Sequence, residues 1–194
     1  MKRIFLAVSM ITLFAAGAAA QGISGGLKAG INLANLNGDD VEDTDMKIGY
    51  HFGGYAKFSI TEAFSVQPEL LYNAVGAKSS ESGVDGNYKI NYITVPVMLG
   101  YSFGKVSIQA GPQIGFLTSA KLKVEGGGTS GEVDLKDDLK GTDFGVNVGL
   151  GLDFGKINAA ARYCIGLSNI VDADEADVKN GVIQLSVGYK LFGK

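Results

Sequence analysis

Odd and even positions separate cleanly along much of this chain, and most cleanly over Asp143–Gly166. Phe144, Val146, Val148, Leu150, Leu152 and Phe154 form one apolar set, with Asp143, Gly145, Asn147, Gly149, Gly151 and Asp153 between them. After Gly155-Lys156 the alternation resumes, Ile157, Ala159, Ala161, Tyr163 and Ile165 against Asn158, Ala160, Arg162, Cys164 and Gly166. Period two predicts strands with one apolar face and one polar or small face. Two residues between such runs predict an antiparallel hairpin. Each run reaches roughly the length of a tilted strand that crosses a bilayer.

The same pattern predicts six further strands, at about Leu27–Leu36, Ile48–Ile60, Phe64–Ala77, Tyr88–Phe103, Val106–Thr118 and Gly181–Leu191. The connections alternate long and short. Asn37–Lys47, Lys78–Asn87, Ser119–Lys140 and Ile170–Lys179 are long and polar, while Thr61–Ala63, Gly104-Lys105 and Gly155-Lys156 are tight. An even number of strands with this alternation predicts an all-β fold, an eight-stranded antiparallel up-and-down transmembrane β-barrel. Long loops would face outward, and short turns with both termini would face the periplasm.

The distribution of charge separates this from a soluble lipocalin-like barrel or β-sandwich, which place apolar residues inside and polar residues outside. None of the eight apolar sets contains Asp, Glu, Lys or Arg. In water such a belt invites aggregation. In lipid it is required, because a Lys or Arg at mid-bilayer costs about 2–4 kcal/mol. Aromatic residues fall at both strand ends, Phe58, Phe64, Tyr101, Phe103, Phe154 and Tyr189 at one and Tyr50, Phe52, Tyr72, Phe116 and Phe144 at the other. Two girdles are expected of such a barrel. Pro68, Pro96 and Pro112 lie within strands, and bulges are expected there because proline removes a ladder donor.

Residues 1–20 read as a signal peptide: Met1-Lys2-Arg3, an apolar run from Ile4 to Phe14, and Ala18-Ala19-Ala20 before the cut. Residues 21–194 then form one barrel domain. Cleavage takes the formal charge from −3 to −5. An acidic exported chain without a basic cluster is a poor nucleic-acid binder. One Cys allows no internal disulfide, and one His with one Cys builds no metal cluster, so neither cofactor nor metal is expected.

The polar phase carries Lys28, Lys57, Glu69, Asp143, Asp153, Arg162 and Lys190. Eight strands leave room only for side chains. A charge network that plugs the lumen is therefore expected, with a narrow pore for small solutes as the alternative. His51 could pair with Ser79, Ser80 or Ser119 in a lipid A-modifying enzyme; an interior hydrogen bonder is the plainer reading, and no catalytic residue is assigned. The acidic stretches Asp39–Asp45 and Asp172–Asp177 lack calcium-loop spacing, and Gly126-Gly127-Gly128 lacks a phosphate-loop context. Outer loops facing lipopolysaccharide through shared cations fit the acidic stretches better. Cys164 reads as a small lumen filler.

Three segments together, SVQPELLYNAVGAK, NYITVPVMLGYSFGKVSIQAGPQIGFLTSAK and DFGVNVGLGLDFGKINAAARYCIGLSNI, resemble the PorT-like outer-membrane β-barrel proteins of Bacteroidetes. The resemblance runs from GLKAGINLANLNG to QLSVGYKLF, essentially the whole chain after residue 20. It implies an eight-stranded barrel in the cell outer membrane, similar to the OmpX and OmpA barrels, and little about activity, though PorT itself is linked to protein secretion. The filled lumen predicts a structural or interaction role among outer-membrane lipids, lipopolysaccharide and envelope or secretion-system proteins. One departure is the end, where Phe192 is out of phase with Leu191 and is followed by Gly193-Lys194.

Overall fold

The computed structural model describes residues 22–37, 45–81, 84–126, 129–171 and 178–193. Ten strands are present: β1 Ile23–Asn37, β2 Asp45–Ser59, β3 Phe64–Val75, β4 Ala77–Glu81, β5 Val84–Phe103, β6 Val106–Gly126, β7 Thr129–Asp134, β8 Thr142–Phe154, β9 Ile157–Gly166 and β10 Lys179–Phe192. Gly76, at φ 129°, separates β3 from its continuation β4. β7 stands above β8 on the same partner, β6. The ten segments thus make eight staves. Every pairing is antiparallel, and β1 pairs with both β2 and β10, which closes the ring. Closure leaves no edge within the barrel wall.

Side-chain direction follows the alternation. Outward positions are exposed and apolar, among them Leu27, Ile31, Leu99, Ile108, Val148, Leu150, Leu185 and Val187. Between the two aromatic rows, no described outward residue is charged. Phe64, Tyr101, Phe103, Phe154 and Tyr189 stand exposed near the turn end, and Tyr50, Phe52, Phe116 and Phe144 near the loop end. Tyr50, Phe52 and Tyr72 make one cluster, with Phe52 and Tyr72 ring centroids 5.4 Å apart. A hydrocarbon surface between aromatic girdles is what a bilayer demands of a barrel exterior.

The tight turns stand where the sequence places them. Gly104 and Gly155 take φ of 64° and 85°, the geometry that the first position of a two-residue hairpin loop needs. The loop end differs from expectation. Lys78–Glu81 and Val84–Asn87 are strand, not loop, and over Ser119–Lys140, where the pattern left strand and loop both open, β6 runs on to Gly126 and β7 returns alongside it. These residues raise a small sheet beyond the outer aromatics. Lys121 Nζ and Glu132 Oε1, 2.6 Å apart, bridge it on an exposed face.

The expected bulges at the prolines are not there. Pairing skips Pro68 between β2 and β3, Pro96 between β3 and β5, and Pro112 between β5 and β6, and in each case it resumes in the same register. Local loss of pairing absorbs each missing donor without inserting a residue. Register shifts occur instead at Gly25/Gly26, opposite the end of β10, and at Asn91/Tyr92. Gly25 pairs with Phe192, whose ring lies where a side chain on Gly25 would be, while Leu191 faces out. The proposed leader, and most of both acidic stretches, lie outside the described residues.

Candidate functional site

The lumen is filled in layers, and each layer is built from inward positions of several staves. Nearest the turns is a polar basin of about 310 Å³, bordered by Ser24, Tyr55, Lys57, Ser107, Asn158 and Lys190 among others. Asn158 Nδ2 donates to Tyr55 Oη at 2.8 Å along its wall.

Above the basin lies an ionic layer. Lys28 on β1 places Nζ 2.8 and 3.0 Å from the two carboxylate oxygens of Glu69 on β3. Arg162 on β9 donates to the same two oxygens, at 2.9 Å from one terminal nitrogen and 2.7 Å from the other. Gln67 Nε2 donates to Glu69 Oε1 at 2.7 Å, and Arg162 also reaches Gln109 Oε1 at 2.8 Å. The two ionic side chains opposite Glu69 are 1–2% exposed and Glu69 itself is fully covered. Planar guanidinium against carboxylate is the strongest paired geometry available to side chains. It suits a site where unpaired charge would be costly.

Glycine makes room for this layer. A methyl on Gly149 would come within 2.8 Å of Arg162 Cγ and would strike the Ala161 carbonyl. Glycine at that inward position lets the arginine stem cross the lumen.

A neutral layer follows. His51 Nδ1 meets Asn32 Oδ1 at 2.7 Å and His51 Nε2 meets Ser186 Oγ at 2.9 Å. Asn73 Oδ1 accepts from Asn32 at 3.2 Å and from Gln184 at 2.8 Å, while its amide donates to Thr94 Oγ1 at 2.6 Å. His51 is 1% exposed and borders neither the basin nor the smaller cavity above, which Asn73, Tyr92, Asp143 and Asn147 line. Ser119, one of the three serines that the sequence offers His51, is instead the acceptor of Asn91 Nδ2 at 2.7 Å; the side chains of Ser79 and Ser80 lie outside the described residues.

Farther out, Asp143 accepts from Asn180 Nδ2 and Ser168 Oγ, both at 2.9 Å. The loop end is then closed by an apolar cap in which Ala34, Val75, Ile90, Tyr92, Cys164, Ile170 and Val182 are buried together.

The seven charged positions therefore do not meet in one network. Lys28, Glu69 and Arg162 form the triad. Lys190 and Asp153 face each other at the mouth, 4.0 Å apart, and Lys57 borders the same basin. Asp143 stands apart near the loop end, with Asn180 and Ser168 as its partners. Sequence reasoning missed the amide layer of Asn32, Asn73 and Gln184. Its signal was present in the phase, since all three share the inward parity, but amides carry no charge to draw attention. Among the described residues, no group of three or more His, Cys, Asp or Glu is arranged to hold a metal ion.

A closed, antiparallel, eight-stave ring with a hydrocarbon exterior and a polar packed interior defines an outer-membrane barrel. The chain belongs to the outer membrane protein beta-barrel domain family, whose model matches residues 19–172, and its place is the cell outer membrane. Two solved structures share the fold. The attachment invasion locus protein Ail of Yersinia pestis is 17% identical, with a TM-score of 0.52, over 88% of this chain and 99% of that one. Neisserial surface protein A of Neisseria is 15% identical, with a TM-score of 0.57, over 88% and 97%. No curated protein sequence matches the chain.

Proposed function

We propose that this protein is a non-conducting, non-catalytic component of the envelope: a filled barrel that anchors a raised β-sheet at the outer surface. Both termini and the tight turns face the periplasm in this reading, because the long β5–β6–β7 extension belongs on the side with room for it. One observation carries the proposal. A buried Lys28–Glu69–Arg162 triad and an apolar cap stand in series across the lumen. An ion would have to part a charge-assisted cluster and then cross a greasy seal. The raised sheet would meet outer-leaflet lipopolysaccharide or another envelope protein. Within the family we place the chain in the PorT-like branch, on the three segments quoted above, which makes secretion-system proteins the first partners to test.

Purified protein in planar bilayers is expected to give no steady single-channel current. Sustained, reproducible conductance steps would overturn the filled-barrel reading and favour a pore. The enzyme alternative has its own check. His51→Ala is expected to leave lipid A acylation in the host unchanged, because the hydroxyl partner of His51 is Ser186, inside the lumen; an altered acylation pattern would restore that alternative.

A further inference from the structure

The basin at the turn end carries more positive charge than its surroundings answer. Lys28, Lys57, Lys105, Arg162 and Lys190 border it, against the carboxylates of Glu62 and Asp153. Glu69 lies behind the wall, shared between Lys28 and Arg162, and so cancels one of their two charges. Asp153 faces Lys190 at 4.0 Å. Among the described residues no carboxylate pairs with Lys57 or Lys105.

The neutral groups are set in the same sense. Tyr55 Oη accepts from Asn158 Nδ2 at 2.8 Å, and Ser107 Oγ accepts from Gln109 Nε2 at 3.2 Å. A hydroxyl that accepts still has its own proton to give. Both hydroxyls therefore offer O–H donors to the basin beside the unanswered ammonium groups. The volume, about 310 Å³, is at the small end of ligand pockets. Low-dielectric walls around such a cleft concentrate its field on an incoming ion.

We infer that this basin is an oxyanion-binding site, taking a phosphate- or carboxylate-bearing small molecule from the turn side. In the orientation proposed above, on which this clause alone rests, that side is the periplasm. The triad is the floor of the site, and Lys57, Lys105 and Lys190 are its rim.

The test uses the full chain, isotope-labelled in detergent micelles, titrated with inorganic phosphate, acetate and chloride at matched ionic strength. Phosphate is expected to shift the amides of Gly104, Gly151 and Asn158 saturably, acetate to do so more weakly, and chloride not to saturate. The double variant Lys57→Gln/Lys190→Gln keeps the triad and should weaken phosphate by about tenfold, a change easily read in a titration. Glu62→Gln, at an exposed turn, should tighten it. Retained strand amide dispersion in each variant shows the barrel intact. Linear shifts, equal effects of phosphate and chloride, or affinity indifferent to all three substitutions would overturn the site. None of these outcomes depends on conductance or orientation, so the proposed function stands or falls separately.

Discussion

Glu69 accepts from Lys28, Arg162 and Gln67, and its side chain has no exposed surface. Removing it strands two cations in the lumen. Glu69→Ala is expected to lower stability by about 3–5 kcal/mol, the usual size for breaking a buried ion pair from one side. Urea unfolding from lipid vesicles measures this, and a loss under about 1 kcal/mol would mean that water already reaches the triad. At Gly149 the predicted lesion is steric: Gly149→Ala should displace the Arg162 stem and destabilise by about 1–3 kcal/mol, as overpacking does. The same unfolding assay reads it, and an unchanged midpoint would show that the stem can step aside. At this scale the sequence reveals direction but not partnership. Parity alone turns Lys28, Asn32, Glu69 and Arg162 inward. It cannot say that Glu69 meets a guanidinium 93 positions away, or that His51 meets a serine 135 away, because strand stagger around the ring decides who shares a layer.

The β5–β6–β7 extension is the element that a polar reading of the chain hides. Lys-, Gly- and Ser-rich sequence looks like loop, yet Ala120, Leu122 and Val124 alternate with Lys121 and Lys123 just as the wall strands do. The alternation was legible; composition masked it. Leu122 pairs with both Tyr88 and Val133, so each row has a neighbour on either side to hold it. The ion pair at the sheet's surface gives a pH dependence. The Lys121 ammonium holds the Glu132 carboxyl below its ordinary range. Its contribution is present above the unfolded carboxyl pKa and is lost as pH falls through the lowered folded value. Because both groups are exposed, the effect is small and fades in salt. Exchange protection at Leu122 and Val133, corrected for the intrinsic slowing of exchange in acid, should therefore fall on acidification at low ionic strength, and Lys121→Met should abolish that dependence; identical profiles of protection against pH in the variant would assign the change to another group. The prolines teach the converse lesson. Chemistry predicts a lost hydrogen bond at Pro68, Pro96 and Pro112, but whether the strand answers with a bulge or a skipped pair depends on its neighbours, which one sequence does not display.

Across the whole molecule, the exterior is uniform enough to predict what it will refuse. Val148 is 43% exposed midway along β8, between the Phe144 and Phe154 girdles. Val148→Arg should cost about 2–4 kcal/mol in a bilayer and far less at a girdle position such as Phe154. Folding efficiency into vesicles of fixed thickness checks the contrast, and equal penalties at the two depths would mean that β8 sits higher or lower than its aromatics indicate. Fold class and the inside–outside assignment were readable because lipid admits so few solutions to the backbone's hydrogen bonds. The layered filling was not, since it is set by closure, which no local pattern encodes.

That closure joins β1 to β10 and brings together residues such as Gly25 and Phe192, which are farther apart in the chain than any other pair in the wall. The seam is therefore the most non-local pairing in the fold and the one with the longest loop to close. Until the final stave is made, the first has a whole flank of backbone donors and acceptors awaiting a mate still unsynthesised, and slow, long-range zippering of this kind is the step most open to mispairing. Any route by which this barrel assembles must shield that bare border until both end strands are in hand.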